Sequence, residues 1–182
     1  GTRGLGRAIC LGLAEEGAKV AVNSVRTDPG ALVAQLQREF GVPAVAVRGD
    51  MATIDDVRAA FDRTEQALGP LDILINNAGT WPTALVKDMT DEQWTRTLAI
   101  NLTAHFFACR EAVRRWLAAK RKGRIVNITS QAAYAGATTG HAHYAAAKAG
   151  LANFTISLAR EVASAGIHVN AVAPGFMETD MV

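Results

Sequence analysis

Apolar and polar positions along the 182-residue chain follow two alternating rhythms, one of helices and one of buried strands. Leu5, Ile9 and Leu13 recur at helical spacing and predict a helix over residues 4–16, with Gly17 placed to end it. A short apolar strand runs from Lys19 to Asn23. A helix follows over about 30–40, opened by Asp28-Pro29, since proline suits a first helical turn. Val42–Val47 predicts a second strand, and about 53–68 a helix that stops at Gly69-Pro70. Leu71–Ile75 is a continuous buried strand, followed by Asn76-Asn77-Ala78-Gly79. Asp91 starts a long helix reaching about Lys120, and Gly123–Thr129 is again a strand. Residues 131–141 read as a loop of small residues, about 142–165 as a helix, and Ile167–Val172 as a last strand before Pro174-Gly175.

Strands apolar on both faces and separated by helices predict an α/β doubly wound fold around a parallel sheet. No repeat or linker interrupts residues 1–182, so a single domain is expected. Ligands in such folds bind at the carboxyl ends of the strands. The unusual residues gather there: Gly1–Gly6, Asn23–Arg26, Asp50, Asn76–Gly79, Ser130 and Pro174–Thr179.

Composition narrows the class. A content of 49% hydrophobic and 20% charged residues excludes a disordered chain. Nineteen basic against seventeen acidic side chains leave +2, without a charge run, so nucleic acid and acidic membrane surfaces are not expected partners. No apolar run approaches the ~20 residues of a membrane span. Cys10 and Cys109 both fall in helix-like apolar patterns, which argues against a disulfide framework or a cysteine zinc site and for a reducing, cytoplasmic compartment. The chain begins inside a glycine-rich turn with no strand before it and ends just after a Pro-Gly loop, so a piece of a longer protein is expected.

Gly1-Thr2-Arg3-Gly4-Leu5-Gly6 leads straight into a helix. Glycines let a backbone approach a pyrophosphate, and a helix N-terminus offers unpaired N–H groups and a positive dipole end. Ile9 stands where a third glycine of the usual G-x-G-x-x-G would be, so this stretch alone is also compatible with a plain glycine-rich helix start. The turn after the second strand of such a fold lies beside the adenosine ribose, where a carboxylate suits NAD and arginine the 2′-phosphate of NADP. Here it reads Asn23-Ser24-Val25-Arg26, with no carboxylate until Asp28. Arg3 and Arg26 can grip a phosphate through several N–H donors; otherwise both are solvated surface arginines. Asp50 accepts a hydrogen bond from an adenine amino group or caps the helix that begins near Thr53. Asn76–Gly79 brings small and polar groups to a strand end, more than a simple Asx turn requires.

Tyr144 and Lys148 stand four apart on one helix face. That spacing brings an ammonium near a phenol and predicts a lowered phenol pKa, fit for proton exchange with a carbonyl or alcohol. Ser130 ends the preceding strand, fourteen positions before Tyr144, where its hydroxyl can hold a substrate oxygen. Tyr134 offers no rival, because Thr138 occupies the place of a lysine. Asn101, an amide within an apolar helical stretch, wants a partner: a water leading toward Lys148, or a polar group of the core. His105 reads as core, His141 and His143 as loop residues near the substrate; the histidines form no metal-ligand pattern. Trp81, Trp94 and Trp116 read as core and interface residues. Without a G-x-S-x-G elbow, serine hydrolase chemistry is disfavoured.

Together these motifs resemble the short-chain dehydrogenase/reductase family over essentially the whole chain. Gly1-x-x-Gly4-x-Gly6 resembles the end of the family's T-G-x-x-x-G-x-G motif, Asn76-Asn77-Ala78-Gly79 its N-N-A-G, and Tyr144-x-x-x-Lys148 its Y-x-x-x-K. The resemblance implies a Rossmann-type fold, here without its first strand and its C-terminal strand and lid. It implies a catalytic tetrad of Asn101, Ser130, Tyr144 and Lys148. Tyr144 would be the proton donor, Ser130 would orient the carbonyl, Lys148 would bind the nicotinamide ribose, and Asn101 would hold a relay water. Cofactor contacts would fall to Gly1, Thr2, Arg3, Gly4, Leu5, Gly6, Arg26, Asp50, Met51, Asn77, Ala78, Gly79, Tyr144, Lys148, Pro174, Gly175 and Thr179. The stretches Tyr144–Ala163 and Val172–Met181 resemble 3-oxoacyl-[acyl-carrier-protein] reductases within the family. That likeness implies NADPH as cofactor, an acyl-thioester carbonyl as substrate, an acyl carrier protein as partner and a homotetramer. Arg121, Lys122 and Arg124 would then be either a carrier-protein surface or solvated charge. The Ser130–Tyr144 spacing is one residue longer than that subfamily's usual one. A sugar, steroid or alcohol dehydrogenase of the same family, and an idle dinucleotide-binding scaffold, stand as the alternatives.

Overall fold

In the computed structural model, which describes residues 1–177, the chain forms two compact units, Gly1–Leu71 and the chain from Asp72 onward. In the first, apolar residues at helical spacing meet apolar strand positions. The elements are α1 (Gly4–Glu15), β1 (Val20–Ser24), α2 (Gly30–Phe40), β2 (Ala44–Arg48) and α3 (Ile54–Leu68). Cys10 and Ala14 lie one turn apart on α1, as do Leu32 and Leu36 on α2, and both pairs pack with Val20, Val22 and Val42. β1 and β2 run parallel, with Val20 opposite Ala44 and Ser24 opposite Arg48. Gly17 ends α1 as predicted, at a φ of 81° that disfavours any side chain, and its N–H bonds the Ala14 carbonyl at 2.9 Å.

The second unit contains β3 (Ile73–Asn76), α4 (Asp91–Leu98), a π-helical turn (Ala99–Thr103), α5 (Ala104–Ala118) and β4 (Gly123–Ile128). These are followed by α6 (Ala132–Ala135), α7 (Ala142–Val162) and β5 (Ile167–Val172). The strands form a parallel sheet in the order β3-β4-β5, with Ile73 opposite Arg124 and Gly123 opposite Ile167. Ile125 and Ile167 from the strands, Cys109 and Trp116 from α5, and Ala147 and Leu151 from α7 are buried. Gly123 is demanded by Trp116, because a Cβ there would fall within the indole. Parallel strands alternating with helices confirm the α/β class that the pattern predicts.

Three local features differ from expectation. The single helix expected from Asp91 to Lys120 is divided by the π turn, where the Ala104 N–H reaches back to the Ala99 carbonyl. Its start is fixed by a capping box: Thr90 Oγ1 accepts from the Gln93 N–H at 3.1 Å, and Gln93 Oε1 accepts from the Thr90 N–H at 2.9 Å. The loop 131–141 holds the short α6, and His141 and His143 belong to α7, as its N-cap and an early residue. No helix among the described residues is long and apolar enough to cross a membrane.

Among the described residues β1 pairs only with β2, and β3 only with β4. Each therefore shows one row of unpaired backbone groups, the kind of edge that seeks another strand. The 182-residue chain expressed alone is expected to melt without a cooperative transition. A single sharp transition would contradict this.

Candidate active site

At the carboxyl ends of β1 and β2 the first unit gathers its expected cofactor residues. Gly1 lies against β1, where a Cβ would stand 3.2 Å from Val22 Cγ1 and 3.4 Å from the Asn23 carbonyl. Asn23 Nδ2 donates to the carbonyls of Val47 (3.3 Å) and Gly49 (3.2 Å), tying the end of β1 to the turn that carries Asp50 and Met51. Gly4 takes a φ of 47°, in the left-handed region. Arg3 is the N-cap of α1, yet no side chain caps this helix and no acidic residue lies in its first turn. The Gly4–Gly6 backbone N–H groups and the positive end of the helix are left for an anion, and the diphosphate of a dinucleotide fits this cradle. Arg3 and Arg26 are both exposed. Asp50 is occupied locally: one carboxylate oxygen accepts from the Ala52 N–H at 3.0 Å, and its carbonyl accepts from Thr53 N–H at 2.9 Å. These bonds shape the turn before α3, whose N-cap is Thr53 with no side-chain cap, and they leave the second carboxylate oxygen without a bond in this turn.

In the second unit, α7 points Tyr144 and Lys148 from consecutive turns into the interior, where they are 7% and 3% exposed. Lys148 Nζ donates to the Ile128 carbonyl at 2.8 Å, on the last residue of β4. Ser130 follows two residues later, and its Oγ accepts from the Ala132 N–H at 3.1 Å. Burial pushes Lys148 down to about 8. The Tyr144 pKa moves opposite to the expectation from its spacing to Lys148. Burial raises it above the ordinary phenol value, and hydrogen bonding to Ser130 only partly offsets that. The ammonium sits 5.7 Å from the phenol ring centroid and is turned to the Ile128 carbonyl, so its pull does not outweigh desolvation. The phenol is held protonated at neutral pH, the state a proton donor needs.

Asn101, fully buried in the π turn, is hydrogen-bonded to protein groups through both ends of its amide. Its Nδ2 donates to the carbonyls of Thr80 (3.1 Å) and Thr97 (3.0 Å), and its Oδ1 accepts from the Thr80 N–H at 3.2 Å. The side chain thus pins the segment just after Asn77-Ala78-Gly79. Pro174 and Gly175 lie beside Gln131: its N–H donates to the Pro174 carbonyl at 3.0 Å, and its Oε1 would stand 3.5 Å from a Gly175 Cβ. Thr179 lies outside the described residues. Arg121 pairs with Asp72 at 2.7 Å and the Lys122 stem covers Gly166, so two of the three basic groups considered for a carrier surface have contacts within the fold. His105 is core, as expected; burial and the charge of Lys148 push it down to about 3.

Sequence reasoning missed one neighbour of the phenol. Trp81, assigned to core or interface, packs edge-on against Tyr144 with centroids 4.3 Å apart, and stacks on His141 at 4.0 Å. Its signal was its place, two residues past Gly79 at the carboxyl end of β3.

Comparisons with known proteins give the family of the chain. The short chain dehydrogenase family model matches residues 1–182, and the chain belongs to that family of oxidoreductases. It is similar to the 3-oxoacyl-[acyl-carrier-protein] reductase of a Synechocystis species, 42% identical over 182 residues that span 99% of this chain and 72% of that protein. It is also similar to the reductase of the same name from Vibrio cholerae, 41% identical over 181 residues, 99% of this chain and 72% of the relative. The crystal structure of a dehydrogenase/reductase from Sinorhizobium meliloti 1021 superposes with a TM-score of 0.92 at 39% identity, covering 100% of this chain and 71% of that one.

Asn101→Ala leaves the half-buried Thr80 N–H and carbonyl without their partner. It is expected to destabilise the intact protein containing this chain by about 3 kcal/mol, read as a lowered melting temperature. An unchanged melt would contradict the pinning role.

Proposed function

We propose that this chain is the main part of an NADPH-dependent reductase that converts the carbonyl of a 3-oxoacyl thioester to a secondary alcohol, and that both units belong to one dinucleotide-binding domain. The observation that carries this is the buried Tyr144 phenol, kept protonated beside Ser130 and one helical turn from Lys148. Likeness to two named 3-oxoacyl-[acyl-carrier-protein] reductases at 42% and 41% identity supports the substrate class.

NADPH, when bound, supplies the hydride to the carbonyl carbon. Ser130 Oγ donates a hydrogen bond to the carbonyl oxygen and orients it. Tyr144 Oη gives its proton to that oxygen as negative charge develops there, so the carbonyl leaves as an alcohol. Lys148 holds a positive charge near the resulting phenolate and would hold the nicotinamide ribose. Asn77, Ala78, Gly79, Pro174 and Gly175 would line the nicotinamide end, with Gly1–Gly6 and Met51 at the phosphate and adenosine end. Arg3 and Arg26, in place of a carboxylate, favour a 2′-phosphate. The resemblance to 3-oxoacyl-[acyl-carrier-protein] reductases implies a homotetramer, in which the exposed Phe106 on α5 and Ile156 on α7 would be covered. The two buried free cysteines suit a reducing, cytoplasmic setting.

The test is oxidation of NADPH by the intact protein containing this chain, offered an acetoacetyl thioester. Turnover is expected, and Tyr144→Phe should abolish it while NADPH still binds. NADPH binding without turnover would overturn the substrate assignment, and a fully active Phe variant the role of Tyr144. Arg3→Glu with Arg26→Glu is expected to cut the preference for NADPH over NADH by at least tenfold; an unchanged preference would contradict the phosphate-binding role.

A further inference from the structure

Trp81 and His141 form a built clamp beside the phenol. Their rings stack with centroids 4.0 Å apart and planes 19° from parallel, and the indole meets the Tyr144 ring at 77° and 4.3 Å. His141 is fixed at both ring nitrogens. Nε2 lies 3.1 Å from Thr83 Oγ1, and Nδ1 lies 3.1 Å from Thr138 Oγ1 and 3.3 Å from the Thr138 carbonyl. A neutral ring with its proton on Nδ1 donates to Thr138 and accepts from the Thr83 hydroxyl. The backbone closes the same seam, because the Ala84 N–H donates to the Gly140 carbonyl at 2.9 Å. Gly140 has a φ of 86°, and a Cβ there would stand 2.8 Å from Thr83 Cγ2, so the approach of the two segments requires glycine. Residues 81–84 and 138–141 are thereby fastened together, and the indole bears on the tyrosine from a fixed base.

We propose that Trp81, locked by His141, is a positioning residue for Tyr144: it holds the ring so that the hydroxyl stays beside Ser130, and it keeps water from the phenol. The reasoning rests on Tyr144 as the proton donor. An edge-to-face ring contact limits swing of the partner ring, and misplacement of a reacting group by an ångström can cost a hundredfold in rate. The groups around the phenol are Ser130, which hydrogen-bonds it, Lys148, whose ammonium lies 5.7 Å from the ring centroid, and the indole with His141 stacked on it. Of these Trp81 alone carries neither charge nor hydrogen bond to it, so its removal acts through exclusion of water and ring placement.

Two readouts on the intact protein containing this chain separate positioning from mere structure. With acetoacetyl thioester, Trp81→Ala is expected to lower kcat roughly ten- to a hundredfold, with KM changed by less than about threefold, and Trp81→Phe to restore most of the rate. In the absence of substrate and cofactor, ultraviolet titration of tyrosinate, with Tyr144→Phe subtracted, should show the phenol ionising roughly one pH unit lower in Trp81→Ala. His141→Ala should move both readouts the same way by less. An unchanged titration midpoint and kcat in a folded Trp81→Ala protein would overturn the proposal, as would a Trp81→Phe variant as impaired as Trp81→Ala. If the wild type turns over no acetoacetyl thioester while the midpoint still falls in Trp81→Ala, the positioning role stands and the substrate assignment fails.

Discussion

A buried ammonium governs the second unit. Lys148 lies in an interior where an unpartnered charge costs several kcal/mol, and its Nζ answers that cost with one short bond to the Ile128 carbonyl. The bond fixes α7 against the end of β4. Everything chemical follows from that anchorage, since Tyr144 sits one turn before Lys148 and Ser130 two residues beyond Ile128. Small residues make the approach possible: Ala147 is fully buried, and a Cβ on Gly150 would stand only 3.1 Å from Leu102 Cδ2 in the π turn.

Around this anchor runs a chain of paired polar side chains. Asn76 Nδ2 bridges Asn127 Oδ1 at 2.9 Å and Cys109 Sγ at 3.2 Å, and Asn127 Nδ2 donates to Thr155 Oγ1 at 2.9 Å. This chain joins β3, α5, β4 and α7 through side chains that have no other solvent to turn to. The Cys109 thiol, pushed up to about 12 by burial, is a packing and hydrogen-bonding group rather than a nucleophile. Asn101 extends the same logic to the loop after β3. Where a regular helix would continue, the π turn carries a buried amide that holds Thr80 by both its backbone groups.

Much of this was legible in the sequence, for reasons that differ from part to part. The order of strands and helices follows from apolar runs and helical spacing, which are local properties. Tyr144, Lys148 and Ser130 stand out as candidates in the sequence because four-residue spacing and a strand end are also local. The π turn was not visible, since Leu98 and Leu102 keep an ordinary helical interval through it. The direction of the Tyr144 shift was misread because spacing reports the nearness of a charge but not the loss of water. Trp81 and His141 lie far apart in sequence, and only folding reveals that they share one stack. His143 looked like loop and is a fully buried helix residue, with neither ring nitrogen hydrogen-bonded among the described residues.

Ser130 and Tyr144, placed by the Lys148 anchorage, are proposed to act together on one carbonyl oxygen. A crystal structure of the intact protein containing this chain, with NADP⁺ and a 3-oxoacyl thioester bound, tests it most directly. The 3-oxo oxygen is expected within hydrogen-bond reach of both Ser130 Oγ and Tyr144 Oη, with Lys148 still on the Ile128 carbonyl or turned to the ribose. A carbonyl oxygen seated away from both hydroxyls would contradict it.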